Sequence, residues 1–316
     1  MSKNGDSYII RPDPLDPRLT ERVSGVDQTG ASIETSVTVE RALTIFLNSQ
    51  EIVTAMTIND YPEYLAIGYL LNQNMLMPND VVTGVDYGEE LSVVVVRTKR
   101  KTNYEKKLKK KVQTSGCAQG TVFGDLMEAL ENVTLPKAEL RTSWLYSLTQ
   151  KINTTPSLYL EAGAIHGCVL AVEDRPLVYM EDVGRHNAVD KALGALLIDG
   201  AVPVSAAPSP AQPVLLVVSG RISFEIVQKA ISARLPVVCG ISAPTRGPTF
   251  RLCRQSSRTC CTRPDPGPGP ENEPRNTEPR LPIPRSRFRD PRRPPAQSPN
   301  VAGRLFAPSS YMTVRP

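Results

Sequence analysis

Four short stretches concentrate the residue types that could do chemistry. They are TSGCAQG (114–120), EAGAIHG (161–167), MEDVGRHNAVDK (180–191) and VVSGRISFE (217–225), and they hold both histidines of the chain, His166 and His186. In the first, Cys117 stands alone between Gly116 and Gly120. The thiolate is the reactive form of cysteine, and its pKa falls beside a helix N-terminus or a cation. The two glycines permit tight backbone geometry and let amide N–H groups face an anion. The run that follows, TVFGDLMEALEN, reads as a helix whose start would lie close to the sulfur. A lone thiol suits a sulfur carrier or a covalent nucleophile, because a neighbouring thiol would attack a bound persulfide and discharge it as a disulfide. A structural loop cysteine fits the same residues, and both readings stay open at this point.

The other stretches point to anion binding and to proton transfer. Ser219-Gly220-Arg221 follows the apolar run PVLLVV and precedes a helical pattern. The carboxyl end of a parallel strand that leads into a helix N-terminus is a general anion site, and Arg221 could grip a phosphate through two parallel N–H groups. An N-cap serine beside a surface arginine is the plainer alternative. In MEDVGRHN, Asp182, Arg185 and His186 bring an acid, a base and a switchable imidazole together ahead of a helix. A capped turn with a structural ion pair would look the same.

The elements that must position these residues can be read from periodicity and turn chemistry. Residues 1–33 read as an irregular leader. SVTVERALTIFLN and EIVTAMTI are strand-like, divided by the turn Asn48-Ser49-Gln50. NDYPEYLAIGYLLNQ reads as a helix, with Asp60 and Glu63 at capping-box spacing, Pro62 in the first turn, and Tyr61, Leu65, Tyr69 and Asn72 along one stripe. LSVVVV is a buried strand by its β-branched content. RTKRKTNYEKKLKKK (97–111) carries nine basic residues and one acid. It is either a solvated connector or a docking surface for an acidic partner. PKAELRTSWLYSLTQKIN is a helix whose Leu140, Trp144, Leu145 and Leu148 share a face. CVLAVE and LVYME are strands joined at Asp174-Arg175-Pro176, and HNAVDKALGALLID is a helix. PVLLVVSG, RISFEIVQKAISAR and LPVVCGIS form a strand–helix–strand unit, which requires parallel pairing.

Charge and composition divide the chain. Its 316 residues carry a net charge of +5. From Arg246 onward there are 14 Arg, no Lys and 5 acids, so residues 1–245 carry 23 basic and 27 acidic side chains. The basic surplus belongs to the last 71 residues, which also hold 15 of the 29 prolines and show no apolar periodicity. Such a segment cannot bury enough apolar surface to offset the entropy of ordering, and it reads as disordered. With few interleaved aromatics it is a poor nucleic-acid binder. Six cysteines in a chain of this length do not make a disulfide scaffold. Cys168 and Cys239 lie in apolar runs that read as core. With no apolar N-terminal segment and no run of membrane-spanning length, the expectation is a soluble, cytoplasmic protein with no membrane partner.

Together, EDVGRHNAVDK, SGRISFEIVQKA, ISAPT and TSGCAQG resemble the FdhD family, the formate dehydrogenase accessory sulfurtransferases. DYPEYLAIGYLLNQ is similar to that family's N-terminal helix, and the likeness spans about residues 35–245. The resemblance implies an α/β fold with a cytidine-deaminase-like three-layer core over 113–245, a smaller N-terminal α+β domain over 34–112, and a cytoplasmic homodimer. It implies a sulfurtransferase that takes persulfide sulfur from a cysteine desulfurase. That sulfur passes to the Mo-bis(molybdopterin guanine dinucleotide) cofactor, bound as a substrate, in the service of formate dehydrogenase. The family's persulfide cysteine falls on Cys117. Residue type and position then make Gly116, Gly120, Arg185, His186, Ser219 and Arg221 the candidates for holding the cofactor, with no resident metal.

Two departures stand out. Some family members carry CxxC where this chain has Cys117 and Gly120, and the single-thiol form agrees with the carrier argument. After Ser242-Ala243-Pro244-Thr245 the family continues with a helix and a strand. Here residues 246–316 are the Pro/Arg-rich tail, which reads as a shifted reading frame. A cofactor-carrying chaperone without thiol chemistry is the alternative function. A zinc deaminase is disfavoured, because Pro236-Val237-Val238-Cys239 lacks the PCxxC spacing and Ala164-Ile165-His166-Gly167 lacks a glutamate two residues on. A hydrolase pairing Cys117 with His166 or His186 has no support in the spacing.

Overall fold

The computed structural model describes residues 10–27, 29–77, 80–100, 111–113, 121–123, 133, 135, 140–198 and 215–240. The tail from 246 onward lies outside them, as does most of the basic run at 101–110. The described chain is a mixed α/β protein in which two four-stranded sheets are joined through a pair of helices.

The leader is not wholly irregular. Strand β1 (Thr20–Val26) pairs antiparallel with β2 (Ser32–Thr38), so the boundary drawn at residue 33 falls inside a strand. Periodicity could not find this ribbon, because most of its residues on both strands are exposed and no apolar face forms. Its turn is set by Asp27, whose Oδ1 accepts from Thr29 N at 2.8 Å and from Ala31 N at 3.1 Å. Further upstream, Ile10 pairs with Val178 in a short parallel bridge.

The upstream sheet comprises β3 (Arg41–Leu47), β4 (Gln50–Thr57), β5 (Val82–Gly88) and β6 (Val93–Thr98) in the order β4-β3-β6-β5. The β3–β4 hairpin turns at Asn48, as its turn residues suggest. β3 and β6 are parallel, and Leu43, Ile45, Leu47, Val94 and Val96 bury against helix α1 (Pro62–Asn72). The capping box expected at Asp60 is not formed. Tyr61 occupies the cap position without a side-chain capping hydrogen bond, and Asp60 turns its carboxylate to Lys191. An ion pair with a buried ammonium outweighs an N-cap bond here.

The downstream sheet has the order β10-β9-β11-β12, from β9 (His166–Val172), β10 (Arg175–Asp182), β11 (Leu215–Val218) and β12 (Val237–Gly240). Helix α2 (Thr142–Thr154) and the short α3 (Leu158–Ala162) precede it. Helix α4 (Arg185–Ile198) follows β10, and α5 (Phe224–Ser232) connects β11 to the parallel β12. Alternation along the strands sends Cys168, Leu170, Leu216, Val218 and Val238 toward α4 and α5. Val169, Ala171, Leu215, Val217 and Val237 face α2, where Leu145, Leu148 and Ile152 are buried. Helices therefore cover both faces, which explains why these strands read as continuous apolar runs.

A close helix–helix contact joins the two halves. Gly68 of α1 lies against the Asp190 carbonyl of α4, and Gly194 of α4 lies against the Tyr64 carbonyl of α1. A Cβ at either glycine would overlap the facing backbone, so the axes approach only because both side chains are missing.

The run TVFGDLMEALEN does not begin as a helix. Thr121–Phe123 is strand β8, paired antiparallel with β7 (Lys111–Gln113). A β-branched–β-branched–aromatic triplet favours strand over helix. The boundary drawn between 112 and 113 falls within β7, and residues 124–132 lie outside the described chain.

Candidate functional site at the ends of β9, β11 and α4

Cys117, Gly116 and Gly120 lie in the connection between β7 and β8, outside the described residues. The pairing nevertheless changes the expected activation of the thiol. The segment after Gly120 enters a strand, so a helix starting at Thr121 does not supply the positive dipole end that would lower the thiol pKa.

The other three polar stretches come together at one end of the downstream sheet. Ser219, just past β11, bridges to the start of β9: its backbone N donates to Gly167 O at 3.0 Å, and its Oγ accepts from Gly167 N at 3.0 Å. The same Oγ lies 3.1 Å from His166 Nδ1, a hydrogen bond whose donor depends on the ring tautomer. His166 is partly buried and its pKa lies below the ordinary value, from burial first and then from the positive charge of Arg185 and His186. In the tautomer that accepts at Nδ1, the neutral ring carries its proton on Nε2. Gly220 leaves room beside it, since a Cβ there would meet Arg185 Cδ at 2.9 Å and push that side chain aside.

Arg185 opens α4 and is 8% exposed. A cation at a helix N-terminus opposes the dipole, so this placement favours an anion arriving beside it. His186 follows, buried, with Nε2 at 3.4 Å from Ser223 Oγ and 3.8 Å from Glu225 Oε2. Burial lowers its pKa, Glu225 partly restores it, and Lys229 and Arg185 lower it further. Arg221, two residues past Ser219, is exposed.

Asp182 is not part of this group. Its Oδ2 accepts from Thr57 Oγ1 at 2.5 Å and lies 2.6 Å from Lys191 Nζ, and its Oδ1 accepts from Asn187 Nδ2 at 3.0 Å. The acid, base and imidazole expected to act together are thus divided: Arg185 and His186 face the cluster, while Asp182 holds the interior. Sequence reasoning also missed the buried ions that support the site. Lys191, fully buried, bonds Asp60, Asp182 and the Glu181 carbonyl. Lys229 bonds Asp190 at 2.6 Å and the His186 carbonyl at 3.2 Å, and Asn72 of α1 reaches the same Asp190 at 2.5 Å. Burial would pull the Lys191 pKa down, but Asp182 and Asp60 together hold it above the ordinary value. Burial raises the Asp60 pKa, with Lys191 opposing. A lysine inside an otherwise apolar helical stripe, at 191 and again at 229, was the available signal.

A mixed α/β architecture with a cationic cluster where a parallel strand runs into a helix, and a single cysteine carried between two short strands, defines the class. The chain belongs to the FdhD/NarQ family, whose sequence pattern matches residues 38–261. That match runs past Thr245, so the break in composition lies inside it. The chain is 34% identical over 249 residues to the sulfur carrier protein FdhD of Anaeromyxobacter sp. (strain K), covering 74% of this chain and 85% of that protein. It is 32% identical over 182 residues to the protein of the same name from Sulfurisphaera tokodaii, covering 57% and 66%. A crystal structure of a proposed formate dehydrogenase accessory protein from Desulfotalea psychrophila shares the fold, with a TM-score of 0.58 at 21% identity over 76% of this chain and 90% of that one.

Proposed function

We propose that the chain is a sulfur carrier for formate dehydrogenase maturation, acting as a sulfurtransferase through Cys117. The observation that carries the reading is the position of Cys117 in the β7–β8 connection of a chain whose relatives are named sulfur carrier proteins. The Cys117 thiolate attacks the outer sulfur of a cysteine desulfurase persulfide. The S–S bond breaks, the desulfurase thiolate leaves, and Cys117 holds the transferred sulfur as its own persulfide. The acceptor is the molybdenum of Mo-bis(molybdopterin guanine dinucleotide), bound as a substrate.

The described residues fit the phosphate-bearing part of that substrate. Arg185 supplies a desolvated cation at a helix start, His166 in its Nε2–H tautomer would offer a donor, and Arg221, exposed two residues past Ser219, would add a second guanidinium. His186 and Ser219 hold these groups in place, and Gly116 and Gly120 would open the thiol loop to donor and acceptor. The cytidine-deaminase-like layering of the core, a cytoplasmic location and a homodimer belong to the same proposal. Among the described residues no helix is long and apolar enough to cross a membrane.

Intact mass before and after incubation with a cysteine desulfurase and cysteine tests the reading. One added sulfur, removable by reductant and absent in Cys117→Ala, is the expected result. A folded sample that gains no sulfur would sink it. A Cys117→Ala variant that still supports formate dehydrogenase would favour a chaperone without thiol chemistry.

A further inference from the structure

An open cavity of about 420 Å³ lies between the leader, β3, the end of β5 and the turn that leads into α1. Asp13, Arg41, Asn59, Asp60, Tyr61 and Tyr87 form part of its wall. None of them belongs to the cationic cluster at the β11–α5 junction. The turn is conformationally costly. Asn59 and Tyr61 both occupy the left-handed region, at φ 62° and 46°. Asparagine visits that region readily, but tyrosine does so rarely, and such residues gather at ligand sites where the surroundings hold them.

Hydrogen bonds fix the donors of the turn and leave acceptors over. Asn59 N donates to Thr57 Oγ1 at 3.3 Å, Asn59 Nδ2 donates to the Tyr87 hydroxyl at 2.7 Å, and the Tyr61 hydroxyl donates to Arg11 O at 3.1 Å. Asn59 Oδ1 and Asp60 Oδ2 are shut off from bulk water and accept no hydrogen bond. Asp60 is only 9% exposed. Its Oδ1 is taken by Lys191, which Asp182 shares, so one buried ammonium faces two carboxylates and the surplus is negative. Around the rim, Asp13, Asp16 and Glu89 stand against Arg18 and Arg41, and Asp16 already holds Arg18 at 2.7 Å.

We propose that this cavity binds a cationic group with paired N–H donors, a guanidinium or amidinium. Its flat edge gives one N–H to Asp60 Oδ2 and another to Asn59 Oδ1, after a small rotation of both side chains toward the cavity. Its charge offsets the surplus carboxylate, and the Tyr61 and Tyr87 rings offer an aromatic wall for the planar cation. An ammonium supplies a point charge without the flat paired edge. The group can arrive on a free small molecule or as an arginine side chain of a peptide. The site is independent of sulfur chemistry at Cys117, so either reading can fail without the other.

Calorimetric titration of the full chain with ethylguanidinium, argininamide and ethylammonium tests the proposal. Saturable binding of the two guanidinium compounds is expected, weaker by about tenfold for ethylammonium and by about tenfold or more in Asn59→Ala, the loss of a hydrogen bond to a charged group. Asp60→Asn should weaken binding further. Because that change also disturbs the Lys191 pair, each variant is melted first, and Asn59→Ala, which leaves the pair intact, carries the test if Asp60→Asn is unfolded. If Asn59→Ala also fails to fold, Tyr87→Phe, which removes the hydroxyl that orients Asn59, takes its place. A Gly-Gly-Arg-Gly-Gly peptide that binds much more tightly than argininamide identifies a protein-borne arginine, and equal affinities identify a free ligand. No saturable binding of ethylguanidinium, equal binding of ethylammonium, or affinity unchanged in Asn59→Ala overturns the proposal.

Discussion

Ser219 does two jobs with one oxygen. Its Oγ accepts from the Gly167 amide and lies within hydrogen-bond reach of His166 Nδ1. With the hydroxyl donating to the neutral ring, Ser219→Ala should raise the His166 pKa, read as an upward shift in its proton NMR titration; a downward shift would make the ring the donor. The two histidines also set a pH dependence of stability. Both have folded pKa values below the ordinary 6.5, so between the two values the unfolded chain binds more protons. Their contribution is fully present above about pH 6.5 and is lost as pH falls through the lowered folded values. Asp60 and Glu181 act with the opposite sign, because burial raises both; their penalty is largest at neutral pH and eases in acid. The histidines should therefore pull the melting temperature down as pH is taken from 7.5 toward 5.5, while the two carboxylates pull it up. The double variant His166→Gln, His186→Gln should flatten that slope, and an unchanged slope would refute the assignment.

At the scale of elements, α4 is the organiser. Its first residues enter the cationic cluster, its middle carries Asp190 and Lys191 into the interior, and Gly194 seats it on α1. Removing the Lys191 charge leaves Asp60 and Asp182 buried without a cation. Lys191→Met should cost about 3–5 kcal/mol in chemical denaturation, far more than truncation of an exposed lysine. The sequence made the apolar elements legible: β11, α5 and β12, the β9–β10 hairpin, and α1 follow from periodicity and turn residues. Three features were not legible, for different reasons. The β1–β2 ribbon has no buried face to impose alternation. Thr121–Phe123 is a three-residue strand at the head of a run whose acids and leucines suit a helix. The Lys191 and Lys229 ion pairs join residues distant in sequence, and only folding shows that their charges meet. In the site, Arg185, His186 and Ser219 lie at one end of the downstream sheet with His166 and Glu225, a grouping that the sequence left as separate pieces.

Across the whole molecule, the α1–α4 contact and the ions beneath it tie the two sheets together. Asn72 of α1 bonds Asp190 of α4, and Asp60 ahead of α1 bonds Lys191. The two sheets should therefore unfold as one unit, with a single calorimetric transition whose calorimetric and van't Hoff enthalpies agree. Gly194→Val forces the Tyr64 backbone away and should split that transition in two, or lower its midpoint steeply. A single unshifted transition in Gly194→Val would show that the helices part at no cost.

The same contact has a consequence for how the chain is made. Helix α1 leaves the ribosome more than a hundred residues before α4, which must cover it. At usual synthesis rates that gap lasts roughly 6–23 s, during which Tyr61, Tyr64 and Gly68 lack the cover that the downstream half gives them in the finished fold. The upstream half is thus born with an open face shaped for a partner not yet translated. Slowing translation between codons 72 and 185 should raise the demand for chaperones, and supplying α4 in trans to an upstream fragment should relieve it.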